Sequence, residues 1–464
     1  MDNSIIVFYL LLVLFLGLWS GRRLHTLKEF SVSHGSYTSL AIFATLSASF
    51  IGGGFSIGNA EKVFLFGIVN IVALWGFSLK EILVARFIAP RMGNFPGAIS
   101  PGDIMQSMYG KPGKVITGLF SVMLCAGIVG AQVGGMGFIF NVFLGLDPFW
   151  GILIGCGIVI AYSTVGGMRA VVLTDIVQFC ILSVAIPLAL FFGVAKVGGF
   201  AALRAAVPAG HFSIPGDQMS VLALVSLFLT FVLGETLVPP YVQRLLIGKD
   251  AGHTARGTLL SGLFSIPFFA VTGAMGLVAL ALDPNLDPNL SMPYVIRTVL
   301  PVGLRGIVIA GVISIVMSSA DSFLNGAATG LINDVVKPLR KTPLSQRTEL
   351  SLAKLTNCLV GILAIVFAIK IKSVLDILIY AYNFWAPIIL VPLAAVLLGV
   401  RSTTAGFLWG AAAGIAGNLL WNGPLETPGG FDGLVVGAGC NLLVFSIVTQ
   451  LGRSKMSQTQ TVDS

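Results

Sequence analysis

Apolar positions in this chain do not alternate with polar ones at a strand period, nor do they form the one-sided stripe of a surface helix; they run on uninterrupted. Nearly uncharged stretches recur from one end of the sequence to the other, and a helical stretch of about 20 apolar residues matches the thickness of a bilayer core. About 13 such spans are predicted, at 4–20, 37–60, 64–90, 114–144, 148–166, 171–196, 219–239, 256–282, 302–333, 351–371, 374–399, 402–421 and 431–451. The pattern therefore predicts an all-α polytopic membrane protein whose whole length is one transmembrane domain.

Composition strengthens this reading. Of 464 residues, 56% are hydrophobic and 10% charged, whereas soluble domains carry roughly 25% charged residues. The formal charge of +8 raises the question of a nucleic-acid partner, and its distribution excludes one. Arg22, Arg23, Lys28, Arg91, Lys111, Lys114, Arg169, Arg244, Lys249, Arg256, Lys337, Arg340, Lys341, Arg347, Arg401, Arg453 and Lys455 fall in every second loop. By the positive-inside rule this puts the N-terminus outside and the C-terminus inside, which needs an odd number of spans. The first span does not read as a secretory signal, because Asp2 precedes it and the basic cluster follows. Cys125, Cys156, Cys180, Cys358 and Cys440 lie singly within predicted spans and read as packing residues. No cofactor and no obligate protein partner is expected. The compact length points to a bacterial cell membrane.

After an extra helix in 1–36, spans two to six (37–196) and seven to eleven (197–399) divide into two sets of five. Two more helices follow in 400–453, then a polar tail, 454–464, expected to be disordered. Five spans per half put the halves in opposite orientations, the topology of an inverted repeat. The first helix of each half is interrupted, by Gly52-Gly53-Gly54 in one and by Gly234-Glu235 with Pro239-Pro240 in the other. Glycine and proline weaken helices, and paired broken helices point to a transport site.

Polar groups inside the spans are the candidate chemistry. Ser318, Ser319, Asp321 and Ser322 stand in the middle of an apolar run, where hydroxyls and a carboxylate suit a small hard cation or a proton. Asp175 enters the sixth span and needs a buried partner, either an ion or Ser322. Glu235, at the second break, could bind a solute's amine or hydroxyls, or carry a proton. Gln132 and the Tyr380, Tyr382, Asn383, Phe384, Trp385 cluster are candidate walls of a solute site. Lys80 and Glu81 are placed near the inner end of the third span, where snorkelling or local pairing accounts for them.

The stretches SASFIGGG (Ser47–Gly54), YSTVGGMRAVVLTDIVQ (Tyr162–Gln178), PPYVQR (Pro239–Arg244) and MSSADS (Met317–Ser322) resemble the sodium/solute symporter family, whose members include proline, pantothenate, sialic acid and sugar symporters. The resemblance implies the leucine-transporter fold, with five plus five core helices in inverted repeats. It implies a sodium ion held by the carbonyls of Ala48, Ile51 and Ile315 and the hydroxyls of Ser318 and Ser319. Some members bind a second sodium; here that would involve Asp175, Ser318, Ser319 and Ser322, with Asp321 standing where those members have serine. A proton or a structural pair also fits there. The proline transporters' site differs at Phe50, Gly54, Phe231 and Glu235, which implies a roomier pocket carrying a negative charge. The expected function is sodium-coupled uptake of a small polar solute such as an amino acid, organic acid or sugar. The solute would lie between Gly52, Gly53, Gly54, Phe55, Gln132, Phe231, Glu235 and the Tyr382–Trp385 cluster. A proton-coupled or uncoupled transporter using Asp321, Asp175 or Glu235 is the alternative, and a membrane receptor or channel stands behind both.

Overall fold

Glycines decide where the long helices of this protein bend. A computed structural model describes residues 1–21, 24–33, 35–215, 219–368 and 381–462. Helix α1 (Asp2–Ser20) is followed by the short α2 (Leu27–Val32), then α3 (Ser39–Phe50), α4 (Gly53–Phe66) and α5 (Val69–Phe87). Next come α6 (Pro101–Leu144), α7 (Pro148–Val197), α8 (Phe200–Ala206), α9 (Val221–Leu233) and α10 (Pro239–Leu246). The chain continues through α11 (Ala251–Leu282), α12 (Ser291–Val299) and α13 (Leu304–Thr329). It ends with α14 (Gln346–Ala368), α15 (Val391–Leu397), α16 (Thr404–Asn422) and α17 (Gly433–Val462). No strand occurs among the described residues.

Among the described residues, seven helices are long and apolar enough to cross a membrane, and α3 and α4 reach that length and hydropathy together, as a pair bent by 53° at the break between them. The predicted fifth and sixth spans are the two limbs of α7. They meet at Gly167, whose φ of 52° suits glycine, and a Cβ there would lie 2.8 Å from the Phe30 carbonyl oxygen. The predicted seventh span, 219–239, covers α9 and the turn after it, in which Leu237 takes a φ of 57°, and ends where Pro239 and Pro240 open α10. The backbone of α17 stays helical through Val462, across the stretch expected to be an unstructured tail; neither glycine nor proline interrupts it after Gly452. Tyr380 lies outside the described residues.

The centre of the bundle is α13, buried along nearly its entire length and packed against α7, α6, α1, α14 and α3. Helix α11 packs against α5, α4 and α3. Helices α16 and α17 pair with each other, and both touch the turn Ala386–Leu390 ahead of α15. The extra first helix reaches the interior through Tyr9, whose hydroxyl accepts from Ser314 Oγ of α13 (2.8 Å) and Gln178 Nε2 of α7 (3.2 Å).

Candidate ion and solute site

Where α3 stops at Phe50, its last carbonyls have no helical partner ahead of them. Helix α13 supplies donors. Ser318 Oγ donates to the Ala48 carbonyl and Ser319 Oγ to the Ser49 carbonyl, each at 2.7 Å, and both hydroxyls lie 3.2 Å from the Ile315 carbonyl. Five oxygens from two helices thus converge on the break. Ala48, Ile315, Ser318 and Ser319 come together as the sequence suggests. Ser49, not anticipated, supplies a carbonyl here, while the Ile51 carbonyl accepts from Ser56 Oγ at 3.4 Å. Gly52 makes the approach possible, since a Cβ on it would lie 2.6 Å from Ser319 Oγ.

Below this lies a second polar cluster built around Arg244. The loop position expected for Arg244 is wrong: the residue is wholly buried. Helix α10 starts at Pro239 and packs against α13, α3 and α6, which carries the side chain inward. Its Nη2 lies 3.0 Å from Asp175 Oδ2, 2.6 Å from Ser49 Oγ and 2.5 Å from Ser322 Oγ, and its Nε donates to Thr45 Oγ1 at 3.0 Å. Asp175 Oδ2 also accepts from Thr45 and Ser49, whereas Asp175 Oδ1 has no donor. Asp321 accepts from Tyr162 at 2.6 Å and Ser322 at 3.0 Å.

On the other side of the break the walls are aromatic. The Phe55 ring centre lies 5.7 Å from that of Phe231 and 5.4 Å from that of Phe77, close enough for edge and face contacts. Gln132 Oε1 accepts from the Gly53 amide at 3.3 Å, which ties α6 to the start of α4. Tyr382 lies against Gly234 and next to Glu235, and Trp385 Nε1 donates to the Thr236 carbonyl at 2.9 Å. Glu235 is 4% exposed. The Tyr382 hydroxyl faces the Glu235 carboxyl, while Glu235 Oε2 and Asn383 Oδ1 have no donor within hydrogen-bonding distance. Gly54 is buried, and Phe384 half-buried.

Of the two readings of Lys80 and Glu81, local pairing holds and snorkelling fails. Helix α5 runs on to Phe87, about two turns past Lys80, and the pair is 1% and 0% exposed. Lys80 Nζ lies 2.9 Å from Glu81 Oε1, and Tyr241 donates to Glu81 Oε2 at 3.0 Å. The ammonium rests 3.9 Å from the Phe77 ring centre and 4.5 Å from that of Tyr241, within cation–π range. Only their position well inside an apolar helix could have flagged these residues.

Comparison with known proteins follows this geometry. The model of the sodium:solute symporter family matches residues 30–414. The high-affinity choline transporter 1 of Caenorhabditis elegans is 26% identical, over 90% of this chain and 77% of its own length. The human high affinity choline transporter 1 is 27% identical, over 90% and 75%. The sodium/glucose cotransporter 1 of Oryctolagus cuniculus is 25% identical, over 94% and 70%. Among solved structures, a substrate-bound, outward-open Na+-coupled sialic acid symporter superposes with a TM-score of 0.84 at 18% identity, over 97% of this chain and 98% of that one.

Proposed function

The chain belongs to the sodium:solute symporter family, a family of transporters rather than enzymes, and from that premise we propose that it takes up a small amine-bearing solute together with sodium, by alternating access in the plasma membrane. The observation that carries the sodium part is the pair of serine hydroxyls on the unpaired carbonyls of Ala48 and Ser49. For an entering sodium, the hydroxyls of Ser318 and Ser319 would turn their lone pairs inward, and the carbonyls of Ala48, Ile51 and Ile315 would complete the set. Bound there, the ion holds α3 to α13 and favours the state that receives solute. Linkage is reciprocal, so solute and sodium each tighten the other's binding by the same factor.

The amine follows from how the buried charges are matched. Lys80 has Glu81 as its ion-pair partner, and both Glu81 oxygens are engaged. Glu235 retains an oxygen without a donor and stands beside the Tyr382 ring. A carboxylate within an aromatic wall suits an ammonium group. The names of the choline transporter relatives agree with a cationic solute; those of the glucose and sialic acid symporters do not. Within this reading the chain has 13 spans with the N-terminus outside and the C-terminus inside, and 37–196 and 197–399 are inverted repeats.

The test is the thermal midpoint of purified protein in sodium against potassium chloride at matched ionic strength. A saturable rise with sodium is expected, and it should vanish in Ser318→Ala plus Ser319→Ala. A midpoint that follows pH and ignores sodium would instead establish the proton-coupled alternative at Asp321, Asp175 or Glu235.

A further inference from the structure

The guanidinium of Arg244 collects oxygens as a bound cation does. An ordinary ion pair joins one base to one acid, but this group takes Asp175 Oδ2 from α7, Thr45 Oγ1 and Ser49 Oγ from α3 and Ser322 Oγ from α13. Nη1 donates to the Pro240 carbonyl at 3.1 Å, which ties the group to its own helix, and the guanidinium lies 5.7 Å from the Phe50 ring centre. We infer that Arg244 is a tethered cation filling the position where a second sodium would sit, so that the chain binds one sodium and not two.

The oxygens around it confirm that little room is left for another ion. Ser49 Oγ accepts from Arg244 and donates to Asp175; Ser322 Oγ accepts from Arg244 and lies 2.7 Å from the Ser318 carbonyl. Tyr162 donates to Asp321 Oδ2, and the one hydroxyl proton of Ser322 faces both the Ser318 carbonyl (2.7 Å) and Asp321 Oδ1 (3.0 Å). Asp175 Oδ1 has no donor. A hard cation takes roughly six oxygen ligands, and one open oxygen does not make such a site. The residues expected to hold a second sodium are present, but they already surround a positive charge. That charge is covalently attached, so it cannot be released to the cytoplasm and contributes nothing to the driving force.

The inference rests on the sodium reading above, and sodium counting separates the two. Radioactive sodium binding to the purified full-length chain, without any solute, should saturate at one ion per chain. It should fall to none in Ser318→Ala plus Ser319→Ala. Arg244→Ala should bind two, and adding Asp175→Asn to it should return the count to one. Two ions per wild-type chain, or one remaining in the serine double variant, would overturn the inference and leave sodium coupling intact. No sodium on the wild-type chain would overturn both. If Arg244→Ala does not fold, the wild-type and serine-variant counts still decide.

Discussion

Gly52 and Ser319 face each other so closely that a methyl group on the first would stand 2.6 Å from the hydroxyl oxygen of the second. The unwound turn after α3 and the serine pair of α13 are therefore one fitted surface. Gly52→Ala should push α3 and α13 apart at the ion site. Overpacking of this kind costs about 1–3 kcal/mol, which corresponds to roughly a tenfold rise in the sodium concentration that half-stabilises the protein. Unchanged sodium dependence in this variant would show that the two surfaces separate during ion binding.

Glu235→Gln keeps the shape of the side chain and removes its charge. An amine-bearing solute should then bind about 30-fold or more weakly, since a buried charge pair that loses one partner forfeits about 2–5 kcal/mol. Sodium affinity measured without solute should stay the same. Loss of sodium affinity with solute choice preserved would move Glu235 to the ion site.

Lys80 and Glu81 offer a contrast between breaking a buried pair and deleting it. Lys80→Met alone strands Glu81, and Glu81→Leu alone strands Lys80; each should cost about 3–5 kcal/mol. The double variant should recover much of that loss in thermal midpoint. Additive losses would mean that the two charges do not depend on each other.

The two limbs of α7 depend on Gly167. Its φ of 52° and a Cβ position 2.8 Å from the Phe30 carbonyl oxygen leave no space for alanine. Gly167→Ala should lower the midpoint in sodium and in potassium equally, by the equivalent of about 1–3 kcal/mol. A loss confined to sodium would tie this bend to the ion instead.

Much of this architecture is legible in the sequence because broken helices are written in local residues. Gly52–Gly54 and Pro239-Pro240 mark both interruptions, and hydroxyls inside an apolar run mark the serine pair without reference to any other segment. The burial of Arg244 and the depth of the Lys80–Glu81 pair were missed for a different reason. A basic residue near a span end looks the same whether it turns to water or inward. Its direction is set by partners elsewhere in the chain: Asp175, Ser49 and Ser322 for Arg244, and the Tyr241 ring for Lys80. Such pairings have no period along the chain. Ser49 was missed in both its roles: its carbonyl, which every residue has, meets Ser319, and its hydroxyl meets Asp175 and Arg244 on distant segments.

Helix α13 has almost no face turned to lipid, and it carries Ser314, Ser318, Ser319, Asp321, Ser322 and Asn325 in its buried length. A central aspartate alone raises the free energy of inserting a lone helix by about 2.5–3.5 kcal/mol. The ribosome, however, releases α13 after α1, α3, α6 and α7, the helices that bury its polar side chains. Order of synthesis thus provides what hydropathy does not: most of the lining of α13 is made before it, and its remaining large neighbour, α14, follows it directly.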